Sequence, residues 1–140
     1  MSGTAGYVGT PLARKLGIGA GDEVAVIGAP EGFADRLLGQ LAGSAAICTE
    51  LTDRTLFDVI IGFEPWREDL AADLDGFRAR MAPACGLWIA WPKRASGVRT
   101  DMSDQVIREV ALPTGLVDNK VCAIDAVWSG LRLVIRRENR

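Results

Sequence analysis

The sequence predicts a doubly wound, three-layer α/β sandwich, in which a mostly parallel sheet carries helices on both faces and ends in an antiparallel hairpin. Short apolar runs of strand length alternate with segments of helical periodicity, the pattern of parallel strands joined by right-handed crossovers. The runs before the last two are almost continuously apolar rather than apolar at every second position, as expected for a sheet covered on both faces. The last two runs have no helix between them, so we expect antiparallel pairing there. With 140 residues, the chain is expected to form one domain over residues 1–140.

The first half of the chain predicts two helices and two strands. Thr10 is a favourable N-cap, Pro11 a favourable first helical residue and Gly17 a stop signal, which together indicate a short helix. The first strand is expected over residues 23–28. A second helix beginning at Pro30 and Glu31 precedes a strand over 45–49, and its apolar positions are Phe33, Leu37, Leu38 and Leu41.

The second half predicts strands over 57–63 and 86–91, a helix after each, and the hairpin. The first of these helices follows Pro65 and is strongly amphipathic, with its apolar stripe at Trp66, Leu70, Leu74, Phe77 and Met81. The second is capped by Asp101 or Ser103 and ends near Pro113, with apolar positions at Val106, Ile107, Val110 and Ala111. The hairpin strands cover 120–127 and 131–136, with the turn at Ser129 and Gly130.

The composition excludes several classes of function. Hydrophobic residues make up 49% and charged residues 24% of the chain, with a net charge of -2, as in an ordinary soluble globular protein. The chain has no histidine, which excludes Ser-His-Asp and Cys-His nucleophile pairs and all histidine-containing metal sites. Cys48, Cys85 and Cys122 form neither a disulfide framework nor a zinc pattern, so we expect no metal and three buried thiols. Cys85 is the one thiol that a turn over 83–86 could expose.

Neither a membrane nor a nucleic acid is an expected partner. The amino terminus lacks the charged and apolar regions of a secretory signal, and no apolar run approaches the roughly 20 residues of a membrane span. We therefore expect a cytoplasmic protein. The arginines near the carboxyl terminus are interrupted by Glu138 and have little aromatic interleaving, which disfavours nucleic-acid binding.

The candidate binding residues follow the predicted strands, where the carboxyl ends of parallel strands face a ligand crevice. The loop after the first strand contains Gly28, Glu31 and Gly32. Glu50 follows the second strand, where related nucleotide-binding folds place an acid on ribose hydroxyls, and Glu64 follows the third. Either acid could instead be an ordinary loop residue.

The stretch after the fourth strand is the most informative part of the sequence. It contains Trp91, Lys93, Arg94 and Ser96 and carries three cations over residues 91–100 without an acid, so it could bind a small anion. Alternatively, its cations pair with Glu31 and Glu64 and the loop is only structural. Trp128 and Ser129 approach the same end from the hairpin, and the two tryptophans either rim one pocket or fill the core.

The element order and local sequences resemble the class I S-adenosylmethionine-dependent methyltransferase fold over about residues 14–136. The matching segments are Leu16-Gly17-Ile18, Gly21-Asp22-Glu23-Val24, Phe57-Asp58-Val59-Ile60 and Met81-Ala82-Pro83-Ala84-Cys85-Gly86-Leu87-Trp88. This resemblance implies a Rossmann-like, methyltransferase-like sandwich and S-adenosylmethionine as a cofactor. The chain departs from the fold by having one strand fewer between Cys48 and Phe57, and by lacking the middle glycine of the cofactor loop, where Pro30 and Glu31 stand.

The whole chain more closely resembles a bacterial family known as domain of unknown function 3052. The segments that carry this resemblance are Gly9-Thr10-Pro11-Leu12, Ala29-Pro30-Glu31-Gly32-Phe33, Trp91-Pro92-Lys93-Arg94-Ala95-Ser96-Gly97 and Trp128-Ser129-Gly130-Leu131-Arg132. The family name implies no activity.

Two functional hypotheses follow. In the first, the chain is a non-catalytic, methyltransferase-like domain that binds a small anionic ligand or a protein partner at the carboxyl edge of its sheet. In the second, it is an S-adenosylmethionine-dependent methyltransferase with an atypical cofactor loop, in which Glu31, Glu64 or Asp125 accepts the proton because no histidine is present. The sequence predicts neither a catalytic residue set nor an oligomeric state.

Overall fold

The computed structural model describes residues 11–52 and 55–140 and confirms the α/β sandwich with a mostly parallel sheet. One six-stranded sheet has the order β2-β1-β3-β4-β6-β5. Its strands are β1 (Glu23–Ile27), β2 (Ala46–Cys48), β3 (Phe57–Phe63), β4 (Met81–Pro92), β5 (Leu116–Ala123) and β6 (Trp128–Ile135). The α-helices are α1 (Leu12–Lys15), α2 (Phe33–Leu41), α3 (Arg67–Ala79) and α4 (Asp104–Ala111).

The strands β2, β1, β3 and β4 form the parallel part of the sheet. β1 lies between β2 and β3, and Val24 is opposite both Ile47 and Val59. The chain passes from β1 to β2 on one side and then crosses to β3 on the other side of β1. The described residues between Cys48 and Phe57 contain no strand, in agreement with the missing strand that the sequence analysis expected there.

The terminal hairpin supplies the antiparallel part, because β6 pairs with both β4 and β5. The predicted turn is wrong: Ser129 and Gly130 lie within β6, and the chain turns around Asp125. Asp125 Oδ1 accepts a hydrogen bond of 2.8 Å from the backbone N–H of Trp128, which closes the turn. Glycine fits tightly inside the strand, because a Cβ at Gly130 would lie 3.0 Å from Cδ1 of Ile124 and the Ile124 side chain would have to shift.

Side-chain alternation divides the core into two layers. The α3/α4 face of the sheet includes Ile60, Leu70, Leu74, Phe77, Leu87, Ile107 and Leu131. The α1/α2 face includes Leu16, Val26, Phe33, Leu37, Val59, Ile61 and Trp88. Both faces of β1, β3 and β4 are therefore buried, as the unalternating sequence pattern predicted, whereas the short edge strand β2 is partly exposed.

Two predicted helix starts need correction. α2 begins at Phe33, three residues after the expected start at Pro30, because Gly32 adopts a left-handed conformation with φ +83°. Pro11 is the N-cap of α1 rather than its first helical residue, and Thr10 lies outside the described residues. Leu38, expected on the buried stripe of α2, is 46% exposed.

The middle of the stripe predicted for α3 is confirmed, while its two ends are wrong. Leu70, Leu74 and Phe77 are buried. Trp66 is the N-cap and is 41% exposed, and Met81 begins β4.

The two candidate caps for the last α-helix serve different helices. Ser103 caps α4, because its Oγ accepts a 3.2 Å hydrogen bond from the N–H of Val106. Asp101 Oδ1 instead accepts a 2.7 Å bond from the N–H of Arg67, the first residue of α3. The loop before α4 thereby holds the start of α3 in place.

The three cysteines differ in burial. Cys85 is fully buried within β4, so the turn expected over 83–86 is wrong. Burial, with a smaller contribution from Asp58, raises the pKa of the Cys85 thiol to about 12. Cys48 and Cys122 are only half-buried, contrary to the expectation of three buried thiols.

Candidate functional site

The crossover of the chain creates a switch point between β1 and β3 at the carboxyl edge of the sheet. The loops that follow these neighbouring strands leave in opposite directions, an arrangement that opens a ligand crevice in doubly wound sheets. Gly28 follows β1 with φ +71°, and Glu64 follows β3. A Cβ at Gly28 would lie 3.4 Å from the carbonyl oxygen of Phe63, so the backbones approach closely at the switch point.

A row of three aromatic rings lies along this edge on the α1/α2 face. Phe63, the last residue of β3, has its ring centroid 4.9 Å from those of both Phe33 and Trp128, and both contacts are edge-to-face. Phe63 therefore connects the start of α2 to the start of β6. Trp128, a predicted site residue, is held in this row.

The loop after β1 borders a cleft of about 260 Å³. Its lining includes the predicted residues Gly28 and Gly32, and in full it comprises Val26, Gly28, Ala29, Pro30, Gly32, Ala34, Asp35 and Thr49. Glu31 and Glu50 are exposed and do not belong to this lining, so their binding roles stay predictions. The sequence analysis did not select Asp35, which lines the cleft from the first turn of α2. Acids are common at this position because they interact favourably with the helix dipole, so the residue type gave no specific signal.

Glu64 is buried at the end of β3, with an exposure of 3%. Its backbone N–H donates a 2.8 Å hydrogen bond to the carbonyl of Ala90 on β4. The pKa of the Glu64 carboxyl is raised to about 8, mainly by burial, with smaller contributions from a hydrogen bond with Asp73 and from the charges of Asp73 and Asp69. Asp73 and Asp69 both lie on α3, so the packing of this helix against the end of β3 places acidic side chains near the buried Glu64 carboxyl.

The loop after β4 borders a second cavity, of about 580 Å³. Two of the candidate binding residues, Trp91 and Arg94, line it, and the full lining is Trp91, Pro92, Arg94, Gly97, Val98, Arg99, Thr100, Asp101, Met102 and Ser103. Lys93 and Ser96 are absent from this lining. The Ser96 hydroxyl donates a 2.7 Å hydrogen bond to the carbonyl of Lys93 and accepts one from Val98, so it stabilises the loop itself.

The alternative in which the loop cations pair with acids is wrong for the part of the chain that the structure describes. The ion pairs there join Arg67 to Glu109 and Arg108 to both Asp104 and Asp118. Lys93, Arg94, Glu31 and Glu64 take no part in them. The guanidinium groups at the cavity are thus available to an anionic ligand.

Trp91 and Trp128 do not rim one pocket. In the antiparallel pairing of β4 with β6, Trp91 is opposite Ser129 and Pro92 is opposite Trp128. Since directly opposite residues point to the same face, the two tryptophans lie on opposite faces of the sheet. Trp91 packs in the α3/α4 layer and Trp128 against the α1/α2 layer. Ser129, on the Trp91 side, is half-buried in β6 and is absent from the lining of the 580 Å³ cavity.

Comparisons with known proteins place the fold. No protein-family model and no curated protein sequence matches the chain, so its membership of the family with domain of unknown function 3052 stays a prediction. Solved structures do match. They include a complex of DhpI with S-adenosylhomocysteine (SAH), with a TM-score of 0.60, 11% identity, and coverage of 90% of this chain and 83% of that one.

Two further structures are similar in the same way. A SAM-dependent methyltransferase from Aquifex aeolicus, where SAM is S-adenosylmethionine, has a TM-score of 0.58 and 11% identity, with coverage of 89% of this chain and 88% of that one. The complex of LepI with SAM has a TM-score of 0.64 and 11% identity, and 91% of this chain spans only 47% of LepI. The chain therefore has a Rossmann-like, methyltransferase-like fold.

Two kinds of feature are absent from residues 11–52 and 55–140. No helix there is long and apolar enough to cross a membrane. The same residues contain no cluster of three or more His, Cys, Asp or Glu side chains placed to hold a metal ion.

Proposed function

We propose that this protein is an S-adenosylmethionine-dependent methyltransferase with an atypical cofactor loop. The observation that carries the proposal is the crevice at the switch point between β1 and β3, in a sheet of methyltransferase-like fold. Similar structures bound to SAM or SAH support this choice over a domain without a cofactor.

The cleft beside the switch point fits the polar end of the cofactor. The Asp35 carboxylate lines it and can pair with the cofactor ammonium. The N–H groups of Ala34 and Asp35 in the first turn of α2, which has no side-chain cap at Gly32, can bind the carboxylate. The Thr49 hydroxyl can bond to a ribose hydroxyl. Pro30 withholds one amide donor in the same loop.

The size of the cleft indicates weak binding. Its volume of about 260 Å³ is below the range of about 300–1,000 Å³ found for pockets of drug-sized ligands. We therefore expect part of the cofactor to extend onto the open surface of the crevice, with less desolvation and a lower affinity than in an enclosed site.

Glu64 is the residue best suited to accept a proton. When bound, the cofactor supplies an electrophilic methyl group, and an acceptor hydroxyl, thiol or amine loses a proton as it is methylated. The Glu64 carboxyl has a pKa of about 8, near the operating pH of an effective general base. Glu31 is exposed, and Asp125 Oδ1 is occupied by the hairpin turn, so we assign the role to Glu64 in preference to both.

Calorimetric titration with SAM and with SAH tests cofactor binding. We expect saturable binding by the wild-type protein. Asp35→Asn should weaken it by up to about fivefold, the size of a partly exposed ion pair. The matched control is Asp75→Asn, which removes an equally exposed acid from α3, away from the cleft, and should leave the affinity unchanged. No heat with SAM at millimolar concentration would contradict cofactor binding.

Turnover of SAM to SAH with a panel of small hydroxyl, thiol and amine acceptors tests the catalytic step. Glu64→Gln should keep the affinity for SAM and lower turnover by about 10²–10⁴-fold, the usual contribution of a general base. Equal turnover by the variant and the wild type would remove Glu64 from the mechanism.

A second candidate function, non-catalytic binding of a small anion, is favoured by the cavity of about 580 Å³ with Arg94 and Arg99 in its lining. A protein that binds phosphate or sulfate there without binding SAM would have this function. Thermal unfolding at constant ionic strength measures the response, which the double variant Arg94→Ala/Arg99→Ala should lose. An unchanged response in that variant would contradict this candidate.

A further inference from the structure

A pocket of about 230 Å³ lies on the α1/α2 face, between α1 and the terminal hairpin. Its lining consists of Arg14, Lys15, Leu16, Gly17, Trp88, Asn119, Lys120 and Arg132. Arg132 packs over Gly86, which is paired with Val59 near the start of β3. The pocket is therefore nearer the amino-terminal half of the parallel strands than the carboxyl edge and is separate from the crevice described above.

The charge of this pocket is of one sign. Four of its lining residues are cationic, and no carboxylate is among them. Within residues 11–52 and 55–140, the ion pairs involve Arg67 and Arg108 and none of these four cations. The whole chain has a net charge of -2, so the concentration of positive charge is a local feature.

The two lysines are held in place while keeping free donors. Lys15 Nζ donates a 3.0 Å hydrogen bond to the carbonyl of Ala123, and Lys120 Nζ donates a 3.2 Å bond to the carbonyl of Lys15. Each ammonium group has three N–H donors, so these two bonds leave further donors for a ligand. Both charges also act on the Cys122 thiol, whose pKa they lower against the larger effect of burial, so both lie near the same point of β5.

The backbone makes room for the guanidinium group of Arg132. A Cβ at Gly86 would lie 2.5 Å from Arg132 Nε, so any other residue there would displace the side chain. The Asn119 side-chain oxygen lies 3.4 Å from Arg132 Nη1 and accepts from it at the edge of the pocket. Glycine at position 86 thus leaves the space that the Arg132 guanidinium group occupies beside β4, where Arg132 lines the pocket.

We propose that this pocket binds a small phosphate-bearing molecule through a group of diphosphate size. Four cations around a concave site match a compact, multiply charged anion, since charge-assisted hydrogen bonds from arginine and lysine are the usual means of phosphate recognition. A nucleic acid would need an extended basic surface with exposed aromatic side chains, whereas the tryptophan in this lining is fully buried.

Titration with inorganic pyrophosphate tests the proposal, by calorimetry and thermal unfolding at constant ionic strength. We expect one saturable site in the wild-type protein. Arg14→Ala/Lys120→Ala, which removes two exposed cations and spares the packed Arg132, should weaken binding by about tenfold or more. The matched control Arg136→Ala/Arg137→Ala removes two exposed cations that line neither this pocket nor the cavity after β4, and should leave pyrophosphate affinity unchanged.

The possible results distinguish failure of the pyrophosphate site from failure of the proposed methyltransferase function. Full pyrophosphate affinity in Arg14→Ala/Lys120→Ala, no binding by the wild type at millimolar pyrophosphate, or equal losses in the two double variants would overturn the proposal. Tighter binding of a single-stranded oligonucleotide than of pyrophosphate would also overturn it, in favour of a nucleic-acid surface. SAM affinity should be the same in the wild type and in Arg14→Ala/Lys120→Ala, so failure of one proposal leaves the other standing.

Discussion

The contact between Gly62 and Phe77 allows a quantitative test of how α3 packs on the sheet. Gly62 lies in β3, and the ring of Phe77, which is 1% exposed, occupies the space beside its Cα. A Cβ built at Gly62 would lie 2.6 Å from Cζ and 3.0 Å from Cε2 of Phe77, closer than carbon atoms approach. Gly62→Ala therefore forces the ring or the helix to move.

The magnitudes follow from the two kinds of core defect. Gly62→Ala overpacks the layer and should lower the free energy of unfolding by about 1–3 kcal/mol. Phe77→Ala leaves a cavity and should lower it by about 3–5 kcal/mol. In the double variant the new methyl group enters space that the ring has vacated, so the two losses should overlap by about 0.5–3 kcal/mol.

Urea unfolding followed by far-ultraviolet circular dichroism measures all three variants. Gly76→Ala is the control: it lies in the same helix with no atom within 4 Å of a built Cβ, and should stabilise the protein by about 0.5–1 kcal/mol. Additive losses in the double variant, or a harmless Gly62→Ala, would refute the packing argument.

Three further predictions concern single side chains. The pKa of Glu64 is about 8 in the folded protein against an ordinary 4.5, so between these pH values the folded state binds the proton more tightly than the unfolded state. The free energy of unfolding should therefore fall as the pH rises from about 4.5 to 8. Chemical unfolding at several pH values should show that Glu64→Gln loses this dependence. Ser103→Ala removes the acceptor for the N–H of Val106 and should lower the free energy of unfolding by about 1 kcal/mol in urea titration, and a change below about 0.2 kcal/mol would contradict the cap. In the native protein at pH 8, a thiol reagent should label half-buried Cys48 well before buried Cys85, and simultaneous labelling would contradict the assigned burial.

The sequence predicted strands best where local signals agreed with tertiary burial. β3 occupies residues 57–63 as expected, because a mostly apolar run ends just before Pro65. β4 begins five residues earlier than predicted, since Pro83 and Gly86 are turn residues by local preference. The register between β3 and β4 shifts there, and such an irregularity accommodates a proline that a regular ladder excludes.

The sequence located residues of the candidate site where their place directly after a strand was enough to put them at the carboxyl edge of the sheet. Glu64 and Gly28 belong to the switch point because each directly follows a strand. Asp73 was missed, because its contact with Glu64 depends on how α3 packs on the sheet. The sequence could not predict that Trp91 and Trp128 lie on opposite faces of the sheet, because this depends on the register between β4 and β6. A shift of one residue in that register would reverse the face of every side chain in the strand.

The two outer strands of the sheet bear on how the protein avoids aggregation. β2 is only three residues long, and β5 carries Lys120 together with an irregularity between Asp118 and Lys120. Short edge strands, edge lysines and bulges all hinder the addition of a strand from another molecule. The long apolar β4 is protected from such pairing because β6 pairs with its outer edge. Loss of the terminal hairpin would make β4 an edge strand and leave its backbone N–H and C=O groups free to pair with another molecule.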